Sequence, residues 1–308
     1  MLVVALVVQL VVGAGLIVVA INGFPFIGGG GDAKSERAPA AVPAVPRPRV
    51  DRFDAQRAFA LIRRELSYGQ RPAGSAPLRR LAEVLRRTLP RGHFEPLPGH
   101  PGLRNVVGTI PGAAPAIVVG AHYDSEYHPK GFVGANDSAA GTAAVVELAR
   151  ALTEAGSAGR EVRFVLFDGE EEGPGCPNAQ FVTCALRGSR AYVAAHRREV
   201  GHMVLLDYIA NTGVRLPREG SSNTALWARV RAAARTAGVS SVFPPTDQLT
   251  IYDDHTPFVR AGIPAVDLID FSYRYADGLE DTLDKLSVAS LDAVGETVFA
   301  LVSELRAR

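Results

Sequence analysis

The chain lacks an excess of charge of either sign: 33 basic residues are balanced by 32 acidic ones, and the formal net charge is +1. Proteins that bind nucleic acids usually carry a basic patch for the phosphates. The balanced composition therefore gives no electrostatic case for a nucleic-acid partner. No internal repeat is visible in the 308 residues, and hydrophobic residues make up 47% of them, which is enough to bury a substantial core.

Cysteine is also scarce. Cys176 and Cys184 are the only two cysteines, and they lie eight positions apart in a stretch rich in glycine and proline. An isolated close pair favours a disulfide and therefore an oxidising compartment. Two unpaired thiols are the alternative at this point.

Charged residues are missing from residues 2–21, where Gln9 is the only polar residue. Such a stretch is long enough for a membrane-spanning helix and too long for the core of an ordinary signal peptide. We therefore predict a transmembrane anchor at residues 1–22, with a buried core helix as the alternative. The Gly-, Ala- and Pro-rich composition of residues 23–50 is typical of a linker without a packed core. Residues 51–308 then suit one large domain.

The side of the membrane on which this domain lies has evidence in both directions. Lys34, Arg37, Arg47 and Arg49 follow the apolar stretch and no basic residue precedes it, which by the positive-inside rule favours a cytoplasmic domain. The cysteine pair favours the opposite side. We expect a membrane-anchored protein whose folded domain is extracytoplasmic.

Helical and strand patterns alternate along the domain. Apolar residues recur at helical spacing over residues 53–66, 78–89, 138–152, 189–196, 224–237 and 290–305. Short apolar runs at residues 105–110, 117–120, 162–167, 204–206 and 265–269 are typical of buried strands. This alternation predicts an α/β fold with a largely parallel sheet between layers of helices.

Polar residues that can bind a metal follow the predicted strands. They are His122, Asp168, Glu170, Glu171, Asp207 and Asp270. A turn at residues 134–138 (Gly-Ala-Asn-Asp-Ser) opens a predicted helix between the first two strands. Ligands bind at the carboxyl ends of strands in open α/β sheets, and charged groups are costly to gather there unless a cation neutralises them. The pattern predicts a metalloenzyme.

Several of these residues also have an ordinary structural explanation. His122, with Asp124 two positions later, fits either a metal ligand oriented by a carboxylate or a structural histidine. Asp137, at a helix start, fits a helix N-cap. Glu170 and Glu171 fit a solvated acidic turn.

The order of motifs resembles the zinc aminopeptidases of metallopeptidase family 28, and still more the glutaminyl cyclase branch of that family. The matching segments are residues 68–75 (Tyr-Gly-Gln-Arg-Pro-Ala-Gly-Ser), 122–125 (His-Tyr-Asp-Ser), 132–139 (Phe-Val-Gly-Ala-Asn-Asp-Ser-Ala), 166–171 (Leu-Phe-Asp-Gly-Glu-Glu), 186–190 (Leu-Arg-Gly-Ser-Arg), 205–207 (Leu-Leu-Asp) and 253–258 (Asp-Asp-His-Thr-Pro-Phe). The resemblance extends from about residue 53 to the C-terminus. It implies a zinc-exopeptidase-like mixed sheet and identifies residues 51–308 as a catalytic domain.

The resemblance also implies roles for individual residues. In the aminopeptidases the positions that match His122, Asp137, Glu171 and Asp207 bind two zinc ions, and the position of Asp137 bridges them. In the cyclases one zinc ion is held by the positions of Asp137 and Glu171 together with a late histidine. In both branches the position of Glu170 is the general base or acid. These assignments fit zinc chemistry, which accepts imidazole nitrogen and carboxylate oxygen.

Further acidic residues complete the predicted catalytic set. Asp253 and Asp254 resemble an acidic pair that supports the site, and we group them with Glu170 and Asp124 as catalytic candidates. His255 beside them is expected to be structural.

One position departs from the family pattern. An ungapped alignment puts Asp277 where both branches carry their final histidine ligand. Aspartate can bind zinc, although its shorter reach and negative charge change the geometry and the Lewis acidity of the metal. His128 is a conceivable substitute from another loop.

The resemblance implies that the substrates are peptide or protein N-termini. We expect a glutaminyl-peptide cyclotransferase-like enzyme that requires one or two zinc ions. A metallo-aminopeptidase is the first alternative. A peptide-binding pseudoenzyme is the second, because Asp277 replaces a histidine ligand.

Overall fold

The computed structural model describes residues 44–156, 158–174, 176 and 181–307. The predicted anchor at residues 1–22 and the linker up to residue 43 lie outside this part of the chain. Among the described residues, no helix combines the length and the apolar character needed to cross a membrane. The described end of the predicted linker contacts the domain, since Val45 packs against the main core and the Arg49 backbone N–H donates to the Ala237 carbonyl at 2.9 Å.

Six strands and eight α-helices are seen in the described part of the chain. The strands are β1 (His93–Pro96), β2 (Arg104–Ile110), β3 (Ala113–His122), β4 (Arg160–Phe167), β5 (Val200–Asp207) and β6 (Ala265–Ile269). The helices are α1 (Ala55–Leu66), α2 (Ala76–Thr88), α3 (Gly141–Ala155), α4 (Phe181–Cys184), α5 (Arg187–His196), α6 (Thr224–Ala237), α7 (Thr256–Arg260) and α8 (Val288–Arg306). Shorter helical turns occupy Ala135–Ala140, Ser240–Val242 and Leu283–Lys285.

The strands form one mixed sheet in the order β1-β2-β4-β3-β5-β6. The pairs β4–β3, β3–β5 and β5–β6 are parallel, and the pairs β1–β2 and β2–β4 are antiparallel. The carboxyl ends of β3, β4, β5 and β6 therefore meet at one edge of the sheet. The predicted mixed, mostly parallel sheet is confirmed.

Helices cover both faces of the sheet. Side chains of successive strand residues point to opposite faces, so each strand contributes to two cores. Val119, Phe164, Leu206 and their neighbours on one face share a core with helices α1, α2, α3, α6 and α8. Val118, Val165 and Leu205 face the other side and pack with Tyr192 of α5 and Phe258 of α7. The predicted layered arrangement is confirmed.

Local sequence signals set several helix boundaries. The side chains of Asp54, Ser75, Asn223 and Ser287 each accept a backbone N–H at the start of a helix. Gly238 ends α6 in the left-handed conformation that glycine adopts without a steric penalty. Strand β1 and the short helices α4 and α7 were not predicted from the sequence, because their patterns span too few residues to show periodicity.

The two cysteines are joined. Cys176, which follows β4, and Cys184, the last residue of α4, form a disulfide with their Cα atoms 6.1 Å apart. The favoured interpretation of the cysteine pair is confirmed.

Candidate metal centre

The centre lies at the edge where the parallel strands end. His122 is the last residue of β3 and Asp207 is the last residue of β5, while Glu170 and Glu171 follow β4. All four residues are more than nine-tenths buried. The apolar runs that precede them fill the two cores, so the fold carries these polar side chains to one crevice.

His122 lies between two carboxylates. Its Nε2 atom is 3.0 Å from Oδ1 of Asp137 and 3.6 Å from Oδ1 of Asp207. One potential ligand atom from each of the three residues lies within 4.8 Å of the other two, a spacing that a single metal ion can span. A second group with this spacing combines His122 with Glu170 and Glu171.

Asp137 is presented by an irregular turn, Ala135–Ala140, in which Asp137 and Ser138 leave helical geometry. Its side chain does not cap a helix: it faces His122, and it accepts a hydrogen bond from the Tyr208 hydroxyl at 3.2 Å. The explanation of Asp137 as a simple N-cap is therefore wrong.

Two buried groups hold this turn from either side. The Asp281 carboxylate accepts the backbone N–H groups of Asn136 and Asp137, each at 3.0 Å, and the Tyr273 hydroxyl at 2.7 Å. The fully buried Arg71 guanidinium donates to the carbonyl of Val133 at 2.8 Å. Asp137 is thus fixed through its backbone before any metal contributes.

Asp124 does not orient His122 as the sequence suggested. Its Oδ1 atom lies 3.8 Å from the His122 Nδ1 atom, which is beyond hydrogen-bonding distance. The Asp124 carboxylate instead accepts the backbone N–H groups of Glu170 and Glu171, at 3.2 and 3.3 Å. Asp124 therefore fixes the turn that carries the two glutamates.

Asp277 lies beside Asp137. The Tyr208 hydroxyl contacts Oδ1 of Asp277 at 2.8 Å and Oδ2 of Asp137 at 3.2 Å. Asp277, Asp137 and Glu126 form another group whose ligand atoms lie within 4.8 Å of one another. His128 belongs to no such group in the described part of the chain, and its ring packs against Tyr127. The structure therefore brings Asp277, and not His128, to the centre.

Asp253 and Asp254 lie beside the glutamate turn, in the loop before α7. Both are buried, and the carboxylate oxygens of Asp254 have no hydrogen-bond partner among the described residues. Their charges add to the rise in the pKa of Glu170 that burial causes. Asp270, after β6, lies apart from these groups and accepts hydrogen bonds from Asn211 and from the Arg215 backbone.

The electrostatics of the centre favour a bound cation. Burial raises the pKa values of Glu170 and Glu171 well above their ordinary range, and it raises those of Asp137 and Asp207 as well. Burial alone would lower the pKa of His122, but its carboxylate neighbours raise it well above the ordinary value. Several carboxylates and one imidazole are a costly arrangement unless protons or a metal neutralise them.

The donor set fits zinc. It supplies one imidazole and several carboxylates, which are normal zinc ligands, and the Nδ1 atom of buried His122 has no hydrogen-bond partner in the described residues. Asp137 belongs both to the group with His122 and Asp207 and to the group with Glu126 and Asp277.

Four residues at or around the centre were not predicted from the sequence: Arg71, Glu126, Tyr208 and Asp281. Three had a usable signal, because Arg71 lies in a matched motif, Glu126 is two positions from Asp124 and Tyr208 directly follows Asp207. Their contacts depend on how separate loops approach one another, which no local pattern encodes.

The fold and the site define an α/β domain with a carboxylate-rich metal centre at the carboxyl edge of its sheet. The chain belongs to Peptidase family M28, whose sequence model matches residues 105–302.

The proteins similar to this chain include glutaminyl-peptide cyclotransferases and an aminopeptidase. A glutaminyl-peptide cyclotransferase of Bothrops jararaca is 28% identical over 253 residues, which cover 67% of this chain and 66% of that protein. Aminopeptidase YwaD of Bacillus subtilis is 30% identical over 207 residues, covering 61% of this chain and 40% of that protein. The chain thus spans slightly less than two thirds of the length of the cyclotransferase.

A solved structure matches more completely. The glutaminyl cyclase of an Acidobacteriales bacterium superposes with a TM-score of 0.74 at 26% sequence identity, over 88% of this chain and 99% of that one.

Proposed function

We propose that the protein is a zinc-dependent glutaminyl-peptide cyclotransferase that acts on peptides with a free N-terminal glutamine. The observation that carries this proposal is the position of Glu170. Glu170 is 8% exposed, its Oε2 atom lies 3.8 Å from Nδ1 of His122, and it is next in the chain to the candidate ligand Glu171. The similarity to glutaminyl cyclases along most of the chain supports the choice of reaction.

The chemistry needs one group that moves a proton. The N-terminal amine nitrogen attacks the side-chain carbonyl of glutamine, a five-membered lactam closes and ammonia leaves. Glu170 accepts the proton from the amine and returns it to the departing nitrogen. The Asp124 carboxylate keeps Glu170 in place by accepting the backbone N–H of Glu170. Zinc held by Asp137, Glu171 and Asp277 would supply Lewis-acid polarisation of the carbonyl.

An aminopeptidase is the second candidate, and the contacts of His122 favour it. A further metal position is offered by His122, Asp137 and Asp207. It shares Asp137 with the position formed by Asp137, Glu171 and Asp277. In this reaction Glu170 would take a proton from the attacking water and return it to the new amine. The Bacillus subtilis aminopeptidase supports this alternative.

The two reactions release different products. The purified full chain, reconstituted with zinc, is incubated with Gln-initiated peptides and with Leu-initiated chromogenic amides. We expect ammonia release without chain shortening from the Gln-initiated peptides. Release of free leucine or glutamine would instead establish the aminopeptidase. A chain that takes up no zinc and forms neither product would be the pseudoenzyme.

We also propose that residues 1–22 anchor the protein in a membrane with the catalytic domain outside the cytoplasm. The support is the uncharged stretch at residues 2–21 together with the disulfide, which is typical of an oxidising compartment. In intact cells, an added protease should cleave the domain after removal of any outer barrier. Protection until the inner membrane is lysed would place the domain in the cytoplasm.

A further inference from the structure

A second group of ionisable side chains is enclosed in the protein beside the cleft. Asp253 and His255 lie in the loop before α7, Asp267 is in the middle of β6, and Glu219 is in the loop before α6. Asp253 is 4% exposed and the other three are 0% exposed. Among the described residues, no lysine or arginine forms an ion pair with any of the three carboxylates.

Glu219 fixes the orientation of the His255 ring. Its Oε2 atom lies 3.1 Å from Nε2 of His255. The same carboxylate accepts the hydroxyl protons of Ser221 and Ser222 and the backbone N–H of Ile251. Because the Ser221 hydroxyl donates to Glu219, its oxygen is an acceptor towards Nε2 of His255, 2.8 Å away. Nε2 therefore carries a proton, and in the neutral imidazole Nδ1 is left with its lone pair.

This lone pair faces atoms that also lack a donor. Nδ1 of His255, both carboxylate oxygens of Asp267 and Oδ2 of Asp253 have no hydrogen-bond partner in the described part of the chain. Buried acceptors without donors cost free energy, and buried anions cost more. Four such atoms in one enclosed cluster indicate that a positively charged species belongs among them.

The spacing of the atoms fits a metal ion. Nδ1 of His255 is 3.5 Å from Oδ2 of Asp267, and ligand atoms from Asp253, His255 and Asp267 lie within 4.8 Å of one another. Two ligands of a tetrahedral zinc ion, each bound at about 2.0–2.1 Å, are separated by roughly 3.4 Å. A histidine that binds a metal commonly donates its other ring N–H to a carboxylate, which is the contact between His255 and Glu219.

We propose that Asp253, Nδ1 of His255 and Asp267 bind a buried zinc ion that is separate from the metal of the catalytic cleft. The ion neutralises the enclosed carboxylates and ties the loop of Asp253 to strand β6. This site is structural, and its existence does not depend on the reaction proposed above. The competing explanation is a proton in place of the metal, either on Nδ1 of His255 facing Asp267 or shared between Asp253 and Asp267.

Zinc counting separates the two explanations. The full chain and its variants are purified without chelators, dialysed against zinc-free buffer and analysed for zinc per chain. Asp267→Asn keeps the shape of the side chain but removes an anionic ligand, and we expect it to hold one zinc ion fewer than the parent chain. Asp270→Asn, directly after the same strand, is the matched control and should keep the full count. Asp207→Asn, altered in the cleft, should retain the buried ion.

Equal zinc contents of Asp267→Asn and the parent chain would overturn the proposal in favour of a proton in place of the metal. If Asp267→Asn does not fold, crystals of the unmodified chain decide. Diffraction data collected above and below the zinc absorption edge should show an anomalous peak between His255 and Asp267. A map without that peak would equally overturn the buried site, whatever the cleft contains.

Discussion

Glu170→Gln is expected to lower turnover by about 10²–10⁴-fold, the usual cost of losing a positioned general base. The amide preserves the size of the buried side chain but cannot accept and return a proton. The backbone N–H of residue 170 would still donate to Asp124, so the turn should keep its position. Turnover is measured with the peptide substrate that the parent chain converts. Zinc content is measured on the same samples.

Glu171→Gln is the matched control, because it makes the same chemical change at the neighbouring position. Glu171 is a candidate ligand, so this variant should lose zinc as well as activity, since metal binding depends on charged ligands. The expected pair of results is therefore a zinc-loaded inactive Glu170→Gln and a zinc-poor inactive Glu171→Gln. Near-parental turnover of Glu170→Gln would refute its role as the proton carrier.

The sequence predicted those parts of the protein that depend on short-range patterns. Continuous apolar runs identified β3, β4, β5 and β6, and the rule that parallel strands end at one edge placed His122, Glu170 and Asp207 together. These predictions hold because each strand is buried on both faces, so its composition reports its position in the sheet. The antiparallel strand β1 has only four residues with partial exposure, and its pattern is too weak to recognise.

The remaining parts depend on contacts between distant segments. Asp281 reaches Asn136 across 145 positions of the chain, and Glu126 meets Asp277 only after the loops have packed. The interpretation of His255 as structural gave no sign of its contact with Glu219, because nothing in a single sequence links a residue before α6 to one before α7. Asp124 was paired with His122 because the two are near in sequence, whereas the fold turns its carboxylate to the glutamate turn.

Substitutions of Asp277 test whether an aspartate binds the metal in place of the histidine that the family pattern has at this position. Its carboxylate lies with those of Asp137 and Glu126 and accepts a hydrogen bond from Tyr208 at 2.8 Å. Loss of a residue that only orients a ligand typically weakens metal binding by about 10–100-fold. A direct ligand should cost more, so Asp277→Ala is expected to weaken zinc binding by at least ~10² relative to the parent chain.

Asp277→His supplies the complementary result. A neutral imidazole binds zinc well and reaches further than a carboxylate, so this variant should bind zinc at least as tightly as the parent chain. Both variants are titrated with zinc against a competing chelator, and Asp284→Ala, on the exposed turn nearby, serves as the control for loop perturbation. If Asp277→Ala and Asp284→Ala bind zinc equally well, Asp277 does not contact the metal. The centre would then rely on Asp137, Glu171 and the neighbouring Glu126 for its carboxylate ligands.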